Sequence, residues 1–98
     1  MPLSNKQKKF LKGRAHSLKP VVIIGAAGVT EGVITEIDNS IEHHELIKVR
    51  LNASSHDQQQ AMVGTICEKV HAELINTIGH VAIFYRPAKQ PVLQLPNK

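Results

Sequence analysis

Val21-Val22-Ile23-Ile24-Gly25-Ala26-Ala27-Gly28-Val29-Thr30-Glu31-Gly32 is the stretch on which the reading of this chain turns. Its apolar, β-branched start predicts a strand over Val21–Ile24. A four-residue loop framed by Gly25 and Gly28 follows. Thr30 then offers an N-cap, and Glu31 suits the positive end of the helix that it opens. Backbone N–H groups at such a strand–loop–helix junction face outward, and glycine lets an anion come close. A dinucleotide pyrophosphate, an NTP phosphate and an RNA backbone are the three candidates.

Working outward, Ser4 with Gln7 three residues later forms a capping-box pattern that starts a helix running to about Ser17. Phe10, Leu11, Ala15 and Leu18 supply its apolar stripe, and Pro20 ends it. Downstream, Val33, Ile34, Ile37 and Ile41 recur at helical spacing, and His43 and His44 close that helix. Leu46–Leu51 alternates as a strand, and a polar loop spans Asn52–His56. A third helix is predicted over Asp57–Asn76, with Ala61, Met62, Ile66, Val70 and Leu74 on its buried face. Gly79 marks a turn into a strand over His80–Tyr85, and Val92–Leu95, bounded by Pro91, reads as a short edge strand. The order α-β-α-β-α-β-β describes one α/β domain over residues 1–98. The expectation is a two-layer arrangement with a four-stranded mixed sheet packed by helices.

The 98 residues suffice for one core, and 42% hydrophobic content argues for a folded chain. Twelve Lys and Arg stand against eight Asp and Glu, unevenly placed. Lys6, Lys8, Lys9, Lys12, Arg14 and Lys19 precede the first acid, Glu31, and every acid lies between Glu31 and Glu73. A basic end on a charge-mixed body points to a polyanionic partner; the plainer alternative is a solvated helix face that aids solubility. Cys67 is the sole cysteine, which excludes an internal disulfide, and its apolar setting makes it an inert thiol. No apolar run approaches the roughly 18 residues of a membrane span, and the N-terminus lacks a signal-peptide core. A cytoplasmic protein with no membrane partner is expected.

Two of the three anions fit poorly. The spacing Gly25-x-x-Gly28-x-x-x-Gly32 departs from G-x-G-x-x-G, and no carboxylate ends the next strand to hold a ribose. The Lys-Ser/Thr pair of a P-loop is absent, since Val29-Thr30 follows Gly28. The six histidines lack metal-ligand spacing: His43 and His44 are consecutive and diverge by about 100° on a helix. Cys67 and His71 share a helical spacing, but a thiol in an apolar stripe is a poor nucleophile. No enzyme activity, cofactor, metal or small-molecule substrate is therefore expected.

An RNA backbone fits best. A G-x-x-G loop admits the nucleic-acid backbone to main-chain amides, and the helix before it supplies counter-charge, with Lys8, Lys12 and Lys19 near one side and Lys9 and His16 adjacent. Because that helix leads through Pro20 and one strand into the loop, helix face and loop are expected to form one continuous surface. Base stacking contributes little, with no Trp, one Tyr and two Phe. The candidate contacts are Lys8, Lys9, Lys12, Arg14, Lys19, Gly25, Ala26, Ala27, Gly28 and Thr30, with Arg86 a weaker addition.

Four ordered blocks carry a resemblance. They are Lys12-Gly13-Arg14-Ala15-His16-Ser17-Leu18-Lys19-Pro20-Val21-Val22, Ile24–Val33, His44–Val49, and Ile78-Gly79-His80 with Tyr85-Arg86-Pro87. Together they resemble the CRM domain (chloroplast RNA splicing and ribosome maturation) in its stand-alone bacterial YhbY-type form. That resemblance implies an RNA-binding α/β domain similar to the C-terminal domain of translation initiation factor three. It also implies association with precursors of the large ribosomal subunit through rRNA; separately, a monomer is expected. The family's loop maps onto Gly25-Ala26-Ala27-Gly28, and its basic first helix onto Lys8, Lys9, Lys12 and Arg14. Many members carry Lys or a polar residue inside the loop, so two alanines leave the grip to main-chain amides, Thr30 and the helix cations. The alternative is a protein-interaction module that reaches the ribosome through a ribosomal protein.

Overall fold

The computed structural model describes residues 3–25 and 27–96. Its elements are α1 (Asn5–Ala15), β1 (Pro20–Ile24), α2 (Glu31–His44), β2 (Leu46–Leu51), α3 (His56–Val70), β3 (Glu73–Ile78) and β4 (Val81–Tyr85). The capping box forms as its residues demand: the Gln7 N–H donates to Ser4 Oγ at 3.1 Å, and the Ser4 N–H donates to Gln7 Oε1 at 3.0 Å. At the start of α2 the Val33 N–H donates to Thr30 Oγ1 at 3.2 Å, and at α3 the Gln58 N–H donates to Ser55 Oγ at 3.1 Å. Each of these caps stabilises its helix by about 1 kcal/mol.

The sheet order is β1-β2-β4-β3. β1 and β2 are parallel and joined through α2, while β4 runs antiparallel to both β2 and β3. On one face Val22, Ile24, Ile47, Val49, Leu51 and Phe84 pack with Ile37 and Ile41 of α2 and with Met62, Ile66 and Val70 of α3. On the other, Leu46, Ile75, Ile83 and Tyr85 pack with Leu11 and Ala15 of α1. The three helices and the four-stranded mixed sheet are as expected, but the helices divide between two faces. Three layers replace the expected two. The cause is β4, where Ala82, Ile83, Phe84 and Tyr85 are all buried. A central strand that is apolar on both sides needs cover on both.

Two element assignments change. The third helix does not reach Asn76; it ends at Val70, where His71 turns left-handed (φ 57°), and Glu73–Ile78 is an edge strand. Gly79 (φ 58°) and His80 form the turn that pairs β3 with β4. Val92–Leu95 is not a strand. Its backbone hydrogen-bonds a side chain instead: Glu45 Oε1 accepts the N–H groups of Val92 and Leu93, both at 2.9 Å, and Oε2 accepts that of Ala88 at 3.0 Å. Leu18 also departs from its expected place, lying beyond the end of α1 and exposed.

Candidate nucleic-acid interface

Charge separates across the sheet. Glu31, Glu36, Asp38 and Glu42 lie on α2, and Asp57 and Glu68 on α3. Glu45 is buried, and Glu73, at the start of the edge strand β3, pairs with Tyr85 on the face that α1 covers. α1, β1 and the outward positions of β2 carry no acid. That side holds the α1 cations, then Lys19, then Lys48 and Arg50, which project from β2 on the same face as Leu46. Such a predominantly basic layer attracts a polyanion at long range.

α1 divides its cations between two flanks. Its buried line is Gln7, Leu11 and Ala15. Phe10 and Arg14 fall to one side by helical spacing, where Phe10, like Leu93 and Leu95 of the tail, packs against the α1 cluster, and Arg14 borders a cavity shared with His43, His44 and Leu93. Lys8 and Lys12 fall to the other side, toward the open part of the outward sheet face, with Lys9 further round on the exposed surface. Lys19 is exposed where the chain enters β1. The helix and the Gly25–Gly28 loop thus lie at opposite ends of β1, about 13 Å apart by strand rise. They are not directly continuous; the outward residues of β1 and β2 connect them.

Within the loop, the Gly28 N–H donates to the Gly25 carbonyl at 3.1 Å, so that amide is used inside the turn. Gly28 has φ 76°, a conformation that L side chains rarely adopt, whereas Gly25 has no such requirement and open space where a Cβ would stand. Ala27 is exposed; Ala26, also an expected contact, lies outside the described residues. Beyond the loop, Thr30 Oγ1 accepts the Val33 N–H, leaving its hydroxyl proton available to an outside acceptor. The first N–H groups of α2, those of Glu31 and Gly32, have no intrahelical acceptor by position. The Glu31 carboxylate stands exposed beside them and opposes an incoming phosphate.

Arg86 is placed differently from its expected role. Its Nη1 donates to Asp38 Oδ1 and to the Val70 carbonyl, both at 2.7 Å, and its Nη2 donates to Glu42 Oε1 at 3.0 Å. The guanidinium therefore ties the end of α3 to α2 on the acid-bearing side, away from the basic layer. Cys67 is half-buried, and burial pushes its thiol pKa up, the direction of an inert group. Sequence reasoning missed Arg50. Its alternation in Leu46–Leu51 fixed the face on which it points, but only the sheet order shows that this face stays open beside the loop.

The chain is thus a three-layer α/β domain with a predominantly basic outer layer and a glycine-framed loop at the far end of β1. The chain belongs to the CRS1/YhbY (CRM) domain family, whose model matches residues 3–86. It is 47% identical over 96 residues to an RNA-binding protein of Haemophilus influenzae, covering 98% of this chain and 97% of that one. A protein named as a probable RNA-binding protein in Pseudomonas aeruginosa is 38% identical over 97 residues, covering 99% and 93%. In three dimensions the chain resembles the solution structure of a hypothetical protein from Staphylococcus aureus proposed to bind RNA. The TM-score is 0.83 at 34% identity, covering 97% of this chain and all of that one.

Proposed function

We propose that this protein binds RNA without catalysing a reaction, and that its target is structured rRNA in precursors of the large ribosomal subunit. The observation that carries the reading is the separation of charge across the sheet, with the α1 cations, Lys48 and Arg50 on the side opposite the acids of α2 and α3. Family membership and the RNA-binding names of the relatives support the same partner. Lys8, Lys9 and Lys12 neutralise phosphates, with Lys19 at the edge of the patch and Arg14 on its far flank. Gly25 and Gly28 admit the backbone, Thr30 donates its hydroxyl proton to a phosphate oxygen, and Arg86 serves the fold. Recognition of this kind follows backbone and shape more than base identity.

The test is sedimentation of cell extract with and without ribonuclease, coupled to crosslinking and sequencing of the bound RNA. The proposal expects co-migration with large-subunit precursors, loss of that association after ribonuclease, and crosslinks in large-subunit rRNA. Association that survives ribonuclease would instead favour docking through a ribosomal protein.

A further inference from the structure

The outward face of the sheet is only half covered. α1 packs over Leu46, Ile83 and Tyr85, near the end where β1 and β2 begin. Toward the other end, Ile23, Arg50, Val81 and Ile78 are aligned partners across all four strands. Ile23 is 62% and Ile78 60% exposed, an uncommon state for two isoleucines on one sheet face. Ile23 stands two residues before Gly25, so the row borders the loop, and the Lys8/Lys12 flank of α1 faces it from the opposite end.

We propose that this row receives unpaired nucleotides, making the preferred ligand a structured RNA with a single-stranded segment beside its paired part. The inference rests on the RNA-binding reading above and specifies the class of RNA. A duplex presents phosphates, ribose hydroxyls and paired base edges, none of which gains from contact with isoleucine. An unpaired base presents an apolar face that gains by leaving water against exposed isoleucine, and it can stack on an arginine guanidinium. Ile23 and Ile78 are about 14 Å apart across the sheet, room for more than one base between them. Arg50 lies in that interval and makes no hydrogen bond or ion pair among the described residues, so its planar guanidinium is free to stack on a base or fork onto a phosphate. Lys48, by contrast, is engaged with the Leu18 carbonyl at 3.1 Å. No carboxylate occupies the row, which favours a polyanion over a basic protein surface.

The experiment compares a fully paired RNA hairpin with the same hairpin carrying a short single-stranded extension, each titrated by fluorescence anisotropy. Wild type is expected to prefer the extended RNA by about tenfold, the size of one base contact. The Ile23→Thr/Ile78→Thr double variant keeps β-branched residues in the strands and so preserves their propensity. It should bind both RNAs equally, at the wild-type affinity for the plain hairpin. Arg50→Gln should weaken the extended RNA more than the hairpin. Equal wild-type affinity for the two RNAs, or a double variant that keeps the preference, overturns the inference and leaves the row to a protein partner. Binding to neither RNA overturns the RNA-binding reading itself, a result distinct from equal binding to both.

Discussion

Glu45 Oε1 accepts the backbone N–H of Leu93 at 2.9 Å, joining two residues 48 positions apart. Glu45 is fully buried and sits at the C-terminal end of α2 with φ 64°, and its two oxygens together hold three tail N–H groups. This one carboxylate replaces the strand ladder that the prolines of the tail cannot build, since each proline lacks a donor. Leu93 and Leu95 are thereby held against the α1 core.

Removing that carboxylate should loosen the tail and lower stability. Glu45→Ala is expected to cost about 2–4 kcal/mol, because charged hydrogen bonds are lost and buried donors are left unpaired. Urea unfolding measures the loss, and hydrogen exchange should localise it to the amides of Ala88, Val92 and Leu93.

The same site sets a pH dependence. Burial raises the Glu45 pKa, but the N–H groups of Ala88, Leu93 and Val92 outweigh it, and the result lies below the ordinary value of 4.5. A carboxylate with a depressed folded-state pKa contributes stability that is complete above its unfolded value and lost as pH falls through the folded one. Wild type should therefore lose stability on acidification below about 4.5 more steeply than Glu45→Gln. Parallel pH profiles for the two proteins would remove Glu45 as the cause.

Arg86 should separate fold from binding. Arg86→Ala is expected to destabilise by about 1–3 kcal/mol, because Asp38, Glu42 and the Val70 carbonyl lose a shared donor. Arg86→Lys should recover only part of this, since an ammonium cannot reproduce the fork. Neither variant should change the salt dependence of RNA binding once measured on folded protein.

The two loop glycines should respond differently to alanine. Gly28→Ala forces a side chain into the left-handed region and is expected to cost about 1–2 kcal/mol of stability. Gly25→Ala meets no such strain and no neighbour, so stability should hold while RNA affinity falls. Unchanged affinity in Gly25→Ala would show that no backbone approaches there.

Glu31 offers a test in the opposite direction. Its exposed carboxylate shares the N-terminus of α2 with the proposed phosphate contact, so Glu31→Gln should tighten RNA binding a few-fold, most clearly at low salt.

Local signals carried much of this structure in plain view. Ser4 with Gln7, Thr30 before Glu31, and the alternation of Leu46–Leu51 each act over a few residues, and each marked its element correctly. The errors came where a distant partner decides the outcome. Leu74 continues the spacing of Ile66 and Val70, yet His71 turns left-handed without a glycine, and pairing with β4 claims the following residues as a strand. Val92–Leu95 has strand-like residues, but Glu45 binds its amides from across the chain. The third layer was written in the unbroken apolar run Val81–Tyr85, whose alternate residues serve two cores. The open row beside the loop depends on sheet order, which no local pattern encodes.

The most direct measurement is RNA affinity as a function of salt for wild type and Lys8→Ala/Lys12→Ala. Each neutralised phosphate contributes roughly 0.7–0.9 to the slope of log K against log salt concentration. If α1 grips the backbone, the double variant should lose about one and a half units of slope while remaining folded. An unchanged slope would contradict the placement of RNA on the basic layer.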